Sequence, residues 1–337
     1  MQRLVVDGWG KYVGIDHDQI VVREKGGVVH RCLPRELRQV IFSGKGSLSV
    51  DAIELLAQHG VDILFLDWKG VMVAHFVPPE LRTVNTRKEQ YFAYNDTRGV
   101  FLAKEFVRAK VKNQSAVLGS LAKRRVDTDP TVADLLHRAK HEIDQANPLD
   151  LDAPNVERIR ERLMAVEAHA AKLYWGALSH LFKGWNFTGR SGRYASDPVN
   201  AMLNYGYAML VGEVERCIHF AGLDPHGGFL HADRPGRVSL ALDLAEEFRQ
   251  QIVDKIVINL ITRKMADPTE FEVIEGISQM KARVRKLLQT EIGTKFEEYV
   301  RVDRERILWC NLILQQAQRI AKYLRGEGDY TGFSMRW

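Results

Sequence analysis

The stretch VMVAHFVPPELRTVNTRKE, residues 71–89, marks the point at which the sequence changes from one kind of fold to another. Val71 to Phe76 favours a β-strand, and Pro78-Pro79 ends it because proline has no amide hydrogen to give to a sheet. The polar, charged residues that follow are typical of a linker between separately folded units. The predicted division is a first domain over 1–79, a linker over 80–93 and a second domain over 94–337.

Upstream of this boundary, short β-favouring runs alternate with turn residues. Lys25-Gly26-Gly27 and Lys69-Gly70 are typical of hairpin turns. One helix interrupts the pattern, with Ser49 as its N-cap and Gly60 as its stop. The predicted strands are Leu4–Val6, Tyr12–Ile15, Gln19–Arg23, Val28–Leu33, Val40–Phe42, Val61–Leu66 and Val71–Phe76.

Downstream of the boundary, apolar residues recur at the spacing of an α-helix. The predicted helical segments are Val100–Lys123, Val132–Ala146, Val156–Phe182, Pro198–Phe220, Ser239–Ile261, Met280–Val302 and Arg304–Leu324. The fold class predicted from the two halves is therefore α+β with two domains, a small β-rich N-terminal domain followed by a larger all-α C-terminal domain.

Composition narrows the classes of protein to which the chain can belong. Lys and Arg outnumber Asp and Glu by 48 to 43, which favours a polyanionic partner without identifying one. Cys32, Cys217 and Cys310 are isolated in sequence, as expected for a reducing cytoplasm. No apolar run approaches the roughly 20 residues that span a bilayer, and the first residues do not resemble a signal peptide. We therefore expect a cytoplasmic protein.

Several catalytic motifs are missing from the sequence. It contains no G-x-x-x-x-G-K-[ST] loop, so a nucleotide hydrolase is disfavoured. It has no G-x-S-x-G elbow on which acyl transfer would depend. Neither H-E-x-x-H nor a cysteine pair is present to suggest zinc.

Glu167 is the first candidate for chemistry, because it lies beside the apolar stripe of the helix predicted over Val156–Phe182. Its helical neighbours Leu163, Ala170 and Tyr174 are apolar or aromatic, so the carboxylate leaves a largely apolar surface. Spacing alone leaves open that Glu167 is a border residue paired with a lysine or arginine.

The second candidate is GLDPHGGFLHADRPGRVSLALDLAEEFRQ, residues 222–250. His231 follows a Gly- and Pro-rich turn, and Asp243 and Glu246 share one face of the next helix at i,i+3. With Glu167, this segment offers the carboxylates and imidazole that Mg²⁺ or Mn²⁺ accepts. Spacing leaves open that these are a structural histidine and a solvated acidic face, and it does not separate Glu246 from Glu247.

Basic residues form clusters on a predicted helix and in a Gly-rich loop that also carries Trp185, Phe187 and Tyr194. Cations interleaved with aromatic rings are typical of surfaces that hold nucleic acid. A solvated helix face explains any one cluster equally well. The predicted phosphate-contacting residues are Lys104, Arg108, Lys183, Arg190 and Arg193.

Five features together resemble the adaptation integrase family of CRISPR systems, and they span essentially the whole chain. They are Glu167 followed by Tyr174-Trp175, DPVNAMLNYGYAML from Asp197, GLDPHGGFLH ending at His231, SLALDLAEEFR from Ser239, and the terminal YTGFSMRW. The resemblance implies that Glu167, His231 and Glu246 hold Mg²⁺ or Mn²⁺. It implies supporting roles for Asp243, Asn200 and Tyr207, and it favours Glu246 over Glu247 as the ligand.

The same resemblance implies an assembly and a reaction. The β-rich domain would form a homodimer, and a dimer of a small CRISPR-associated protein would bridge two such homodimers. Prespacer DNA would attack repeat DNA through its 3′-hydroxyls, so no covalent protein intermediate is needed. An end-trimming exonuclease is a further expected partner. The alternatives are a structure-selective endonuclease acting on branched DNA and a non-catalytic DNA-binding scaffold.

Overall fold

A computed structural model describes residues 2–67, 72–78, 84–146, 148–192 and 194–335, with the backbone only for Gln2 and Leu149. The chain divides into two compact units, Met1–Leu81 and Arg82–Trp337. The first is built on a sheet and the second is mostly helical, so the predicted fold class is confirmed. The turn predicted at Lys69-Gly70 lies outside the described residues.

The first unit is a mixed six-stranded sheet in the order β3-β2-β1-β4-β5-β6. Its elements are β1 Gln2–Asp16, β2 Gln19–Glu24, β3 Gly27–Cys32, β4 Leu37–Leu48, helix α1 Val50–Gln58, β5 Asp62–Leu66 and β6 Met72–Phe76. Strand β4 pairs in parallel with both β1 and β5, and α1 lies between β4 and β5 in the chain.

The core of this unit combines apolar strand residues with one face of α1. Val13, Ile20, Val40 and Leu56 are fully buried in one cluster. Helix α1 begins as predicted, because the Ser49 hydroxyl accepts the amide hydrogen of the residue three positions on. The runs Leu4–Val6 and Tyr12–Ile15 belong to the single long strand β1.

The second unit is dominated by long helices. Its helices are α2 Val84–Ala93, α3 Thr97–Lys123, α4 Pro130–Asp144, α5 Val156–Ser179, α6 Pro198–Phe220, α7 Ser239–Ala245, α8 Lys255–Thr262, α9 Ala282–Glu297 and α10 Trp309–Leu324. Helices α3 and α6 are buried over most of their length, so they form the centre of the unit. No helix within the described ranges is long and apolar enough to cross a membrane.

Two hairpins correct the expectation that this unit is entirely helical. The first pairs β7 Phe271–Ile274 with β8 Ile277–Met280, and the second pairs β9 Tyr299–Val302 with β10 Glu305–Leu308. Each turns through residues with positive φ, Glu275-Gly276 in the first and Asp303 in the second. The segments predicted as helices over Met280–Val302 and Arg304–Leu324 therefore begin or end in strands. Four-residue strands are too short for an alternating pattern to stand out against the helical one.

The predicted linker 80–93 is also partly wrong, because Val84–Ala93 forms helix α2. Thr86, Gln90 and Ala93 are buried along one side of that helix. The Gln90 amide bonds the backbone of Asp224 and Gly227. A polar residue thus holds the helix by hydrogen bonds, which an apolar periodicity does not reveal.

The segment predicted as one helix from Ser239 to Ile261 is interrupted. Helix α7 ends at Ala245, a turn carries Glu246 and Glu247, and a π-helical turn spans Gln250–Asp254 before α8. A π-helical turn widens the helix locally and is frequent at functional sites. Here the break lies at the residues predicted to bind metal.

Candidate active site

Three parts of the second unit enclose a cavity of about 320 Å³. They are the middles of α3 and α5, the loop after α5 together with α6, and the residues that flank α7 on both sides. The polar side chains that line it include Lys110, Gln114, Glu167, Arg190, Tyr207, His231, Glu246, Arg249 and Gln250. The three predicted metal ligands, Glu167, His231 and Glu246, are therefore brought together from distant parts of the sequence.

The two carboxylates of the site share one cation. The Lys110 ammonium on α3 pairs with Glu167 Oε1 on α5, and it lies 2.8 Å from Glu246 Oε2. Arg249 also pairs with Glu246, at 3.0 Å from its Oε1. Glu167 therefore has a lysine partner, as expected if it were only a border residue of its helix. That lysine, however, also faces Glu246, the second predicted metal ligand.

Glu246 is fully charged in this environment. Burial opposes its ionisation, but Arg249, Lys110 and His231 outweigh burial and lower its pKa to about 2. Its side chain is 2% exposed, so a full negative charge is held inside the protein. Such a carboxylate is available as a metal ligand at every pH near neutrality.

His231 is oriented by Asp243. The Asp243 carboxylate accepts the backbone amides of Phe229, Leu230 and His231, and its Oδ1 lies 2.6 Å from His231 Nδ1. The other ring nitrogen, Nε2, is thereby directed into the cavity, 3.9 Å from Glu246 Oε1. In metal sites, a carboxylate commonly holds one ring nitrogen of a histidine, so that the other nitrogen is oriented to bind the metal.

The loop before His231 packs closely on α7. A β-carbon at Gly228 would lie 2.6 Å from the Ser239 β-carbon and 3.0 Å from Asp243 Oδ2. Only glycine leaves room for the backbone to come this near. The loop can therefore reach Asp243, and this explains the Gly-rich sequence ahead of His231.

Two arginines and a tyrosine form one wall of the cavity. Arg190 and Arg249 each stack on the Tyr207 ring, at 5.2 and 4.9 Å from its centroid. The Tyr207 hydroxyl donates to Asp254 Oδ1, and Tyr174 donates to the other oxygen of Asp254. Burial raises the pKa of Asp254 to about 6 despite these bonds. Tyr207 therefore serves as a fixed support for two cations that face the site.

Asn200 supports the same wall from outside the cavity. Its side-chain oxygen accepts from Arg190 and from the backbone amide of Ser191, and its amide group donates to the Gly189 carbonyl. Asn200 is completely buried. It holds the loop that carries Arg190 and does not line the cavity.

Glu247 faces away from the site. This agrees with the expectation that Glu246, and not Glu247, is the metal ligand. Its oxygens accept from Tyr330, from Gln316 and from the backbone amide of Phe333. Burial raises its pKa to about 7. Glu247 thus fastens the segment near the C-terminus to the helical core.

The residues predicted to contact phosphate differ in burial and in their partners. The prediction that Arg108 contacts phosphate is wrong. Its side chain is 9% exposed, pairs with both oxygens of Glu105 and donates to the Gly332 carbonyl. Lys183 is exposed and Lys104 is half-buried. Arg190 lines the cavity, and Arg193 lies outside the described residues. Lys104 and Arg108 are spaced i,i+4 and share one face of α3, so the helical period could not separate them. The difference is in burial along this central helix, which the sequence does not show.

Lys110, Gln114 and Arg249 were not assigned to the site from the sequence. Lys110 was also not among the predicted phosphate contacts, although it lies on the same helix as Lys104 and Arg108. Lys110 and Gln114 are spaced i,i+4, and Glu246 and Arg249 are spaced i,i+3, so each pair shares a helical face. Those spacings were the signal available in the sequence for these residues. They indicate a shared site only once α3 is known to pack against α5.

The donor set suits a hard divalent cation, although the ligands are not in binding geometry. No group of three or more His, Cys, Asp and Glu side chains in the described ranges is arranged to hold a metal ion. Nevertheless Glu167 and Glu246 already converge on a cation, the Lys110 ammonium, and His231 Nε2 faces Glu246. Two carboxylates and an imidazole are ligands that Mn²⁺ accepts and that Mg²⁺ takes with several waters.

Comparison of the sequence with known families gives one match across most of the chain. The model described as CRISPR associated protein Cas1 matches residues 4–293. Among curated proteins, a CRISPR-associated endonuclease Cas1 of Archaeoglobus fulgidus is 44% identical over 344 residues, covering 99% of this chain and 100% of the relative.

Solved structures resemble the fold over nearly its full length. A casposase bound to its integration product superposes with a TM-score of 0.82 at 26% identity, covering 98% of this chain and 92% of the casposase. A CAS1 protein from Thermotoga maritima gives a TM-score of 0.79 at 22% identity, with both chains covered completely.

Proposed function

This chain belongs to the CRISPR-associated Cas1 family, and on that premise we propose that it is a metal-dependent integrase that joins prespacer DNA to CRISPR repeats. The observation that carries the proposal is the meeting of Glu167, His231 and Glu246 in one cavity from three separate segments. The structural likeness to a casposase bound to an integration product supports it.

The proposed reaction is a transesterification. A DNA 3′-hydroxyl oxygen forms a bond to a repeat phosphorus, the bond from that phosphorus to its 3′-oxygen breaks, and the proton leaves the attacking hydroxyl for solvent as the departing oxygen gains one. The number of phosphodiester bonds is unchanged, so no energy source is required. No serine or cysteine nucleophile is needed, since the nucleophile belongs to DNA.

Glu167, His231 and Glu246 are the residues that would hold the cation. Bound Mg²⁺ or Mn²⁺ supplies positive charge that stabilises the attacked phosphate and orients the attacking oxygen. Asp243 keeps the His231 ring turned toward the cavity through Nδ1. Arg190 and Arg249, fixed against Tyr207, present cations to the DNA phosphates near the reacting group.

The assembly proposed with this reaction is a homodimer formed through residues 1–79, with a small CRISPR-associated protein dimer bridging two such homodimers. Two-fold contacts are the commonest arrangement for soluble oligomers. An exonuclease that trims DNA ends is a further proposed partner. Light scattering of the purified chain at micromolar concentration tests the dimer, and a monomer with and without DNA contradicts it.

The experiment that tests the function uses the chain with its bridging partner, a short duplex with free 3′-ends and a supercoiled plasmid that carries a repeat. We expect joined product in Mg²⁺ or Mn²⁺ and none with EDTA. Metal-dependent cutting of branched DNA without joining would favour the endonuclease, the activity for which the Archaeoglobus fulgidus relative is named. DNA binding with neither reaction would favour a scaffold.

A further inference from the structure

Lys110 lies where the ligand set of the proposed active site converges. Its ammonium touches Glu167 from α5 and Glu246 from the turn after α7, and the side chain is only 11% exposed. Of the described side chains that line the cavity, it is the cation that pairs with both carboxylates. Lys110 thus supplies one positive charge to the two carboxylates that the proposed function assigns to a divalent ion.

The electrostatics favour a charged lysine at this position. The Lys110 ammonium pairs with a carboxylate oxygen of Glu167 and lies 2.8 Å from Glu246 Oε2, and both partners attract its positive charge. The two carboxylates would repel one another if no cation lay between them. Lys110 therefore stabilises the metal-free arrangement by the same attraction that a metal ion would use.

We propose that the Lys110 ammonium occupies the cation position of the metal-free site, so that a divalent ion binds by displacing it. The inference rests on the metal site of the proposed function and adds to it a residue that competes with the metal. The exchange changes the charge between the two carboxylates, because one singly charged ammonium leaves that position and one doubly charged ion enters it. The site thereby gains one positive charge when metal binds, which favours a phosphate.

The displaced ammonium has acceptors within the same cavity. Gln114 lies four residues further along α3, and its side-chain oxygen is buried with no hydrogen-bond partner in the part of the chain that the structure describes. The side-chain oxygen of Gln250, which also lines the cavity, is likewise buried without a hydrogen-bond partner among the described residues. An unpaired buried acceptor is costly, so each gains from receiving a donor. The flexible four-carbon stem of lysine permits such a movement.

Metal affinity tests the proposal without recourse to activity. Mn²⁺ binding is measured by calorimetry and by the loss of the free-ion electron paramagnetic resonance signal, for the wild type and for Lys110→Met. Methionine keeps the length and removes the charge. We expect the variant to bind Mn²⁺ at least about tenfold more tightly, because the competing charge is gone. Lys112→Met, on an exposed part of the same helix, is the matched control and should bind as the wild type does.

A second measurement uses the wild type alone, in case Lys110→Met does not fold. The lysines are acylated with a water-soluble reagent, with and without Mg²⁺, and the modified sites are identified by mass spectrometry. Displacement of Lys110 should raise its labelling when Mg²⁺ binds, while Lys112 stays constant. Unchanged labelling of Lys110 at saturating Mg²⁺ would overturn the inference, as would a folded Lys110→Met protein that binds Mn²⁺ no more tightly than the wild type.

The two claims fail in different ways. A wild type that binds neither Mn²⁺ nor Mg²⁺ contradicts the metal site itself and hence the proposed function. A wild type that binds metal while Lys110 keeps its labelling contradicts only the displacement. Tighter binding by Lys110→Met together with metal-dependent labelling supports both.

Discussion

At the scale of single residues, Glu246 and Glu247 show how neighbours in sequence acquire opposite properties. Glu246 faces Lys110 and Arg249, which lower its pKa to about 2, whereas burial among uncharged donors raises the pKa of Glu247 to about 7. Spacing could not separate them, because both are acidic residues beside the same apolar face. The family resemblance favoured Glu246 as the metal ligand, and the structure places Glu246 in the cavity.

Replacing Glu247 with glutamine tests its unusual surroundings. A carboxyl whose pKa is higher in the folded protein than in the unfolded chain binds an extra proton when folded, so it contributes stability at low pH that is lost as the pH rises from about 4.5 to about 7. Asp254, whose pKa is about 6, acts in the same direction. The melting temperature of the wild type should therefore fall relative to Glu247→Gln between pH 5 and pH 8. Parallel melting curves across that range would show that Glu247 does not titrate there.

At the scale of elements, the predicted helical segments that begin at Val100, Val132, Val156 and Pro198 are found as α3, α4, α5 and α6. The segments predicted over Ser239–Ile261, Met280–Val302 and Arg304–Leu324 are interrupted or include strands. Helix α6 has the predicted ends, Pro198 and Phe220, since Asp197 caps it and proline begins it. The break after Ala245 could not be predicted, because the apolar spacing continues unchanged through the π-helical turn. That break follows from packing, which brings Glu246 toward α3 and α5, and no local signal encodes it.

Asp243 joins two elements, the loop ending at His231 and helix α7. Its two carboxylate oxygens receive four hydrogen bonds, and an asparagine at this position retains only one acceptor oxygen. Asp243→Asn should therefore lower the free energy of unfolding by about 1–3 kcal/mol. DNA joining should fall more than DNA binding, because the His231 ring loses its orientation.

Chemical denaturation measures that loss, with Asp267→Asn as the control. Asp267 also accepts a backbone amide, from Thr269, but it does so at the exposed start of a short turn. Its replacement should have the smaller effect. Equal losses of stability in the two variants would mean that the Asp243 bonds do not hold the loop.

At the scale of the whole molecule, the chain has 48 basic and 43 acidic residues. This excess of positive charge predicts attraction for a polyanion but does not identify the residues that bind it. The structure removes Arg108 from the candidate phosphate contacts and retains Lys183 and Arg190. Burial and pairing decide which cations are available, and neither is readable from the order of residues. The order of domains, by contrast, was readable, because β and helical patterns occupy separate halves.

Neutralising Lys183 and Arg190 together should weaken binding to unrelated DNA duplexes alike. Each phosphate contact contributes about 0.9 to the slope of log affinity against log salt, so the double Lys183→Ala, Arg190→Ala variant should lose about 2 from that slope. Arg138→Ala is the control, since Arg138 is exposed and paired with Asp134. Fluorescence anisotropy over a range of salt concentrations measures the slopes. A double variant with the wild-type slope would contradict the assignment.

The central claim is that Glu167, His231 and Glu246 act together on one divalent cation during DNA joining. The most direct test is the yield of joined DNA in Mg²⁺ and in Mn²⁺ for Glu167→Ala, His231→Ala and Glu246→Ala, each checked for folding by circular dichroism and for DNA binding at the concentration used. We predict that each variant binds DNA as the wild type does and gives no joined product, because the phosphate contacts are distributed over other residues. A folded His231→Ala or Glu246→Ala protein that joins DNA at a near-normal rate would contradict the proposed site and the mechanism built on it.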